Sequence, residues 1–255
     1  MVQMPRIVAH RGASHQAPEN TLASIELGWQ EQADAAEIDV HLTADERVVA
    51  IHDADLRRTA GLQAPVLQTP LQTIQTLDAG TWKSPAYAGQ RVPTLEQVLA
   101  IIPSDKKLLI EIKSAAPAMV STLAKVVKAG PVSLENLTFI DFNAVRLSSV
   151  LTHLPDARCL LLAGAPAEAD AANWQAILDR LIEQARQQGF KGLDLSRNWP
   201  WNKQMVDRIK QAGLSVDVWT VNDPALALHL AHSGVDAITT DYPGLIRSHL
   251  QANLK

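Results

Sequence analysis

The sequence predicts an α/β fold in which eight strand–helix units close into one (β/α)8 barrel, or TIM barrel. The chain has 255 residues, a usual length for one such barrel. Short apolar runs alternate with longer amphipathic runs, which is typical of parallel strands joined by helical crossovers. No G-x-G-x-x-G pattern follows the first apolar run, and this disfavours an open dinucleotide-binding sheet.

The predicted elements alternate strictly along the chain. The strand candidates are Arg6–His10, Ala36–Val40, Leu108–Lys113, Leu137–Asp141, Arg158–Leu162, Gly192–Leu195, Ser215–Thr220 and Ala237–Asp241. The helix candidates are Thr21–Gln32, Leu95–Ile101, Pro117–Lys128, Asn143–Leu151, Ala169–Gln188, Lys203–Ala212, Pro224–His232 and Pro243–Gln251. Eight units in about 250 residues favour a closed barrel over an open sheet.

Local signals mark several helix ends. Asn20-Thr21 is predicted to cap the first helix, and Asp223-Pro224 and Asp241-Tyr242-Pro243 are predicted N-caps with proline near the first turn. Glycines follow three helices at the position where the chain usually becomes left-handed: Gly189, Gly213 and Gly234.

One interval interrupts the alternation. Val48–His52 predicts an additional strand soon after the second barrel strand. Asp53–Pro93 then contains several Gly and Pro residues but no clear barrel unit. We interpret residues 53–93 as an insertion on the C-terminal face of a single barrel domain that spans residues 1–255.

Composition excludes several classes of partner. The formal net charge is -4 and no basic run occurs, so we expect neither nucleic-acid binding nor stable membrane association. The single cysteine, Cys159, lies in an apolar run and is predicted to be a core residue. Met1–Arg6 leads almost directly into the first strand without an apolar signal region, which predicts a cytoplasmic protein. The sequence leaves the oligomeric state open, a homo-oligomer included.

The residues that carry chemistry follow the ends of three consecutive strands. Inward positions recur every second residue along a strand, and barrel active sites lie at the C-terminal ends of strands. Glu37 and Asp39 are two apart, so they share a face, as do Glu111 and Lys113. Their apolar neighbours are predicted to face the helices: Ile38, Val40, Ile110 and Ile112.

Three carboxylates in one small space require positive charge. Arg11 and Lys113 leave one net negative charge, which a divalent cation would reverse and a phosphodiester monoanion would then neutralise. Because these ligands are all oxygen, Mg²⁺ or Ca²⁺ is favoured over Zn²⁺. His10 and His52 would supply the general acid and base for phosphodiester cleavage. Either histidine fits either role, and the nucleophile is either water or a neighbouring substrate hydroxyl.

Plainer interpretations exist for each residue alone. A histidine at a strand end is often structural, and Glu37 with Asp39 is compatible with a salt-bridged barrel layer in which Lys113 is the partner. Six or seven polar groups near the ends of three strands would make a poor core, so a functional site is favoured. The other histidines are interpreted as surface or packing residues: His15, His41, His153, His229, His232 and His249.

Seven motifs occur in order along nearly the whole chain. They are His10-Arg11-Gly12, Pro18-Glu19-Asn20-Thr21, Glu37-Ile38-Asp39-Val40, His52-Asp53, Ile110-Glu111-Ile112-Lys113, Trp219-Thr220-Val221-Asn222 and the block from Gly234 to Asp241. In these motifs the sequence resembles the glycerophosphodiester phosphodiesterase family, in its bacterial cytoplasmic form. The resemblance implies a barrel with a small insertion after the second strand. It also implies hydrolysis of small-molecule glycerophosphodiesters to sn-glycerol 3-phosphate and an alcohol.

The resemblance also implies a role for each matching residue. Glu37, Asp39 and Glu111 would bind the metal, and His10 and His52 would be the acid–base pair. Arg11 and Lys113 would contact the phosphate as part of the catalytic set, and Trp219 would line the glycerol pocket. Glu19 and Asn20 would organise the loop beside the metal site, although a helix cap is an equally good interpretation of Asn20.

The sequence departs from the family pattern at two places. Asp141-Phe142 stands where the fourth strand often ends in Ser-Phe, and Asp141 is interpreted as a further ligand, a water-mediated contact or a residue turned away. Residues Leu62–Val66 of the insertion are also less typical. Trp199-Pro200-Trp201 follows the sixth barrel strand and is interpreted either as a contact to an alcohol or lipid moiety or as loop packing.

Three other functions compete with this one. A lysophospholipase D or a cyclising phospholipase would need a wide apolar groove, and most apolar residues of the insertion can instead pack on one another: Leu62, Val66, Leu67, Leu71 and Trp82. An enolase-type barrel typically takes its ligands from separate strands and carries an additional N-terminal domain. A non-catalytic phosphate-binding protein would need no acid–base pair.

Overall fold

The computed structural model describes residues 2–167 and 173–254. The strands are β1 Arg6–His10, β2 Ala35–Leu42, β3 Val48–Ala50, β4 Lys107–Ile112, β5 Leu137–Asp141, β6 Arg158–Ala163, β7 Gly192–Ser196, β8 Ser215–Trp219 and β9 Ala237–Thr240. The α-helices are α1 Leu22–Gln30, α2 Arg57–Ala60, α3 Leu71–Ile74, α4 Leu95–Ala100, α5 Met119–Ala129, α6 Ala144–His153, α7 Trp174–Gln187, α8 Lys203–Gln211, α9 Pro224–Ser233 and α10 Pro243–Asn253. The predicted start of the helix at Ala169 lies outside the described residues.

Eight of these strands close into a parallel barrel. The order around the sheet is β1-β9-β8-β7-β6-β5-β4-β2, and β1 pairs again with β2 through Val8↔Ala35 and His10↔Glu37. The short strand β3 pairs antiparallel with the C-terminal end of β2. The predicted (β/α)8 barrel is therefore confirmed, and the predicted additional strand is β3.

Alternation along the strands separates two apolar regions. Residues such as Ile38 and Ile110 pack with the surrounding helices in the main core. A smaller cluster, which includes Val8, Leu109 and Leu160, fills the barrel interior. Because successive strand residues point to opposite faces, this arrangement directs the side chains of Glu37, Asp39 and Glu111 inward, as predicted.

The helix ends agree with prediction in part. Asp223 caps α9 through its side chain, and Gly189, Gly213 and Gly234 all have positive φ. At α1 the cap is Thr21 alone, in a capping box with Ser24, so the prediction that Asn20 helps to cap this helix was wrong. At α10 the N-cap position is occupied by Tyr242 without a side-chain bond, and Asp241 is engaged elsewhere.

The segment 53–93 carries its own apolar cluster. Val66 and Ile74 of this segment are fully buried against Val49 and Ile51, and Leu62 and Leu71 pack around them. The short helices α2 and α3 lie in this segment. Two of its apolar side chains stay exposed, Leu67 at 49% and Trp82 at 41%.

Several other apolar residues have structural positions. Cys159 lies in the main core, where burial raises the pKa of its thiol to about 12. Trp199 and Trp201 are buried, with their indole nitrogens donating to the carbonyl oxygens of Ala163 and Ser196, so loop packing is the correct interpretation of this pair. In the described part of the chain, no helix combines the length and the apolar character needed to cross a bilayer.

Candidate active site

Three carboxylates meet at the C-terminal ends of β2 and β4. Glu37, Asp39 and Glu111 each offer one oxygen, and these oxygens lie within 4.8 Å of one another. The strand register explains the cluster, because Asp39 is the direct partner of Glu111 in the neighbouring strand and Glu37 precedes Asp39 on the same face. Glu37 and Asp39 are almost fully buried.

Two cations border the carboxylates. The main-chain N–H of Arg11 donates to Glu37 Oε2 at 3.0 Å, and its guanidinium Nε lies 3.1 Å from Asp39 Oδ2. Lys113 Nζ donates to Glu111 Oε1 at 2.8 Å and lies 3.5 Å from Asp39 Oδ1. The tight turn at the end of β1 aims Arg11 inward, since its φ is 55° and the following Gly12 has φ 81°.

The carboxylates differ in their affinity for protons. Burial, reinforced by the charges of Asp39 and Glu111, raises the pKa of Glu37 well above its ordinary value. Burial and the charge of Asp39 raise the pKa of Glu111 to about 7. Burial also acts on Asp39, but the charges of Arg11 and Lys113 outweigh it and hold the pKa of Asp39 below its ordinary value.

The donor set fits a divalent cation. Glu37 Oε1 and Asp39 Oδ1 are buried and have no hydrogen-bond partner among the described residues. A buried carboxylate oxygen without a partner destabilises the folded protein, and so does the repulsion that raises the pKa of Glu37. A hard cation bound by oxygen ligands would relieve both effects.

The two histidines carry matched carboxylate partners. His10 Nδ1 lies 2.7 Å from Asp241 Oδ1, and His52 Nδ1 lies 2.7 Å from Asp53 Oδ1. An aspartate acceptor at Nδ1 favours the tautomer with the proton on that nitrogen, which leaves Nε2 of each ring available. Both histidines line the same cavity as Glu37. From the sequence, neither Asp53 nor Asp241 was assigned a role in the site, although each ends one of the seven motifs quoted above.

Asp241 connects the first and last strands. Besides His10, it accepts hydrogen bonds from Ser14 Oγ at 3.0 Å and from Asn222 Nδ2 at 2.6 Å. Burial alone would raise the pKa of Asp241, but the hydrogen bond and charge of His10 lower it to about 2. The carboxylate is therefore ionised at neutral pH and holds the ring of His10 in place.

A second network joins the first loop to the insertion. Glu19 accepts from Arg11 Nη1 at 2.9 Å and from Arg58 Nη1 at 2.7 Å, and Arg58 Nε also donates to Asp53 at 2.7 Å. Asn20 Nδ2 donates to Asp39 Oδ2 at 2.9 Å, and its Oδ1 accepts from the Asp39 amide. Glu19 thus contacts Arg11, and Asn20 contacts Asp39 of the carboxylate cluster. Arg58, which ties Glu19 to Asp53, was missed because its two partners lie far apart in sequence.

The cavity between these groups has one polar and one apolar side. It encloses about 240 Å³ and is lined on one side by His10, Arg11, Glu37, His52, Glu111 and Lys113. Its other side includes Trp219 and Phe142, whose rings meet edge to face at 5.7 Å, with Leu162 beside them. Trp219 therefore lies in the same cavity as the charged residues.

Asp141 does not join the carboxylate cluster. Its carboxylate pairs with Arg146, which also donates to the carbonyl oxygen of Ile112 at 2.9 Å, and it accepts from the amide of Asn143. Of the interpretations open for Asp141, the structure shows the residue turned away. Its charge is neutralised by Arg146 from the first turn of α6.

Comparisons with known proteins agree with this geometry. The model of the glycerophosphoryl diester phosphodiesterase family matches residues 10–245. A glycerophosphodiester phosphodiesterase of Caldanaerobacter subterraneus is 31% identical over 93% of this chain and 94% of its own length. One from Bacillus subtilis is also 31% identical, over 93% of this chain and 84% of its own. A phosphodiesterase structure from Oleispira antarctica, in complex with the product sn-glycerol-3-phosphate, matches with a TM-score of 0.86 and 33% identity over 97% of both chains.

Proposed function

Because this chain belongs to the glycerophosphoryl diester phosphodiesterase family, we propose that it hydrolyses glycerophosphodiesters to sn-glycerol 3-phosphate and an alcohol. Glycerophosphocholine and glycerophosphoethanolamine are the substrates that we expect. One observation carries the proposal: two carboxylate-oriented histidines line the same cavity as Glu37 and Glu111 of the three-carboxylate cluster and the two cations beside it. We expect the enzyme to act in the cytoplasm as one barrel domain over residues 1–255, with residues 53–93 as its insertion.

Glu37, Asp39 and Glu111 would hold one Mg²⁺ or Ca²⁺ ion. When bound, the ion would withdraw negative charge from the phosphate oxygens and so make the phosphorus easier to attack. Arg11 and Lys113 remain beside the carboxylates and would donate to the same phosphate group. The charges of Arg11, Lys113 and one divalent ion would then balance those of the three carboxylates and one bound phosphodiester monoanion.

His10 and His52 would move the protons. One imidazole, through its free Nε2, takes a proton from the attacking water or substrate hydroxyl as the new P–O bond forms. The other imidazole gives a proton to the alcohol oxygen as the old P–O bond breaks. Asp241 and Asp53 keep each ring in the tautomer and orientation that this transfer needs, because each accepts from Nδ1 at 2.7 Å.

The remaining predicted residues would position the substrate and its ligands. Trp219, on the apolar side of the cavity, would cover the carbon skeleton of glycerol. Asn20 would orient Asp39 through the pair of hydrogen bonds between them. Glu19 would fix Arg11 and, through Arg58, the loop that bears His52 and Asp53.

The proposal predicts a metal-dependent release of glycerol 3-phosphate. Metal-stripped protein given glycerophosphocholine should be at least about 10²-fold slower than the same protein with added Mg²⁺ or Ca²⁺, because the ion stabilises charge in the transition state. Release of glycerol 3-phosphate that persists after chelation would contradict the proposed role of the metal. No release by folded, metal-loaded protein would contradict the substrate class, and faster cleavage of a lysolipid would favour a lysophospholipase D or a cyclising phospholipase.

The histidine–aspartate pairs lead to a second prediction. Asp241→Asn or Asp53→Asn should lower kcat about tenfold to a hundredfold while KM changes little, because the amide no longer favours the proton on Nδ1. Asp179→Asn, at an exposed aspartate paired with Arg208, is the matched control and should keep kcat. Steady-state kinetics on the three variants would measure these effects. An unchanged kcat in Asp241→Asn would rule out the proposal that Asp241 orients His10.

A further inference from the structure

Two buried polar side chains in the cavity have no part in the proposed chemistry. Asp194 on β7 and Thr239 on β9 both line the cavity, and their exposures are only 1% and 2%. Asp194 Oδ1 and Thr239 Oγ1 have no hydrogen-bond partner in the described part of the chain. They lie on the two strands that flank β8, the strand that ends in Trp219.

Their surroundings are apolar. Leu162 is the register partner of Asp194 in β6, and Val8 is the register partner of Thr239 in β1. Both apolar residues belong to the cluster that fills the barrel interior. A buried polar group in such a place destabilises the fold unless it has a hydrogen-bond partner. Binding of a ligand whose own polar groups supply that partner would therefore be favoured.

A purely structural role is less consistent with the contacts of Asp194. Its register partner Asp217 is also buried, but Asp217 lies near Arg6, with the nearest atoms 3.6 Å apart, and does not line this cavity. The indole of Trp219 donates to the main-chain oxygen of Asp194 at 3.2 Å and leaves the carboxyl group uncommitted. The three-carboxylate cluster does not include Asp194, so it is not a fourth member of that cation site.

We propose that Asp194 and Thr239 hydrogen-bond to the free hydroxyl groups of the glycerol moiety and thereby select polyol phosphodiesters over simple alkyl phosphodiesters. This inference rests on the proposed function, since it assumes that the phosphate lies between the histidines and the carboxylates. Glycerol then extends under Trp219, between the neighbouring strands that carry these two residues. The glycerophosphoryl unit has two free hydroxyls, and a carboxyl and a threonine hydroxyl can each accept from one.

The first test compares the binding of sn-glycerol 3-phosphate and propyl phosphate, which lacks both hydroxyls. Calorimetry on metal-loaded protein should give a Kd at least about tenfold lower for glycerol 3-phosphate, because a site built for hydroxyls leaves its polar groups unpaired with propyl phosphate. Thr239→Val and Asp194→Leu should each remove most of that preference, and Asp194→Asn should keep part of it because an amide still hydrogen-bonds. Thr138→Val is the matched control, since Thr138 is also buried in a barrel strand but does not line the cavity.

The second test compares hydrolysis of glycerophosphocholine and propylphosphocholine by the same proteins. We expect Thr239→Val to lower kcat/KM for the glycerol diester about tenfold and to change that for the propyl diester less than threefold. Equal losses on both diesters, or a wild-type protein that binds both monophosphates equally, would overturn the inference. If the wild-type protein hydrolyses neither diester, the proposed function fails by itself, because the binding preference is measured without turnover.

Discussion

Replacing His52 with alanine should lower kcat for a glycerophosphodiester about 10²- to 10⁴-fold, and we expect the same range for His10→Ala. Each variant removes one of the two groups that move a proton in the transition state, so the loss should appear in kcat more than in KM. The barrel should survive, because both rings line an open cavity and neither belongs to the apolar core. Steady-state kinetics and thermal unfolding of the metal-loaded variants would measure both effects.

The double variant adds information about how the pair works. If His10 and His52 act in one concerted step, removing both should cost much less than the product of the single losses. His232→Ala is a suitable control, because this histidine is exposed on α9 outside the cavity. Full activity in both single variants with metal bound would show that the acid–base pair is assigned to the wrong residues.

Glu111→Gln should stabilise the metal-free protein and weaken its metal binding. Burial and Asp39 raise the pKa of Glu111 to about 7, from 4.5 in an exposed chain. A raised pKa means that the ionised carboxylate destabilises the folded state, a penalty that grows from pH 4.5 to 7 and is complete above 7. At pH 8 the gain from glutamine should approach about 3 kcal/mol, and at pH 4 it should vanish.

Denaturant unfolding at these two pH values, with and without metal, would test this prediction. Saturating Mg²⁺ or Ca²⁺ should stabilise the wild-type protein more than Glu111→Gln, because a ligand that binds only the folded state adds stability in proportion to its affinity. The order of stability should therefore reverse when metal is added. Glu183→Gln, at an exposed glutamate on α7, should show no such reversal. A metal-free Glu111→Gln protein that is less stable than the wild type at pH 8 would contradict the view that these carboxylates repel one another.

The sequence by itself determined the barrel and the members of the carboxylate cluster. Strand and helix spacing fixed the eight units, and strands such as Arg6–His10 and Leu137–Asp141 agree with the structure to the residue. Glu37 and Asp39 were placed on one inward face because strand side chains alternate with a period of two. That rule is local, so no knowledge of distant contacts was needed to apply it.

Only the tertiary structure decided the partners of residues beyond the strand ends. Asp241 reaches His10 across 231 residues because closure of the barrel places β9 beside β1. Asp141 faces the helices by the same alternation that turns Ile140 inward, and the structure adds its partner, Arg146 in the first turn of α6. Asn20 bonds to Asp39 and leaves the helix cap to Thr21. Past the last strand residue the two-residue alternation ends, and the direction of a side chain then depends on whichever charged or polar group the folded chain brings near it.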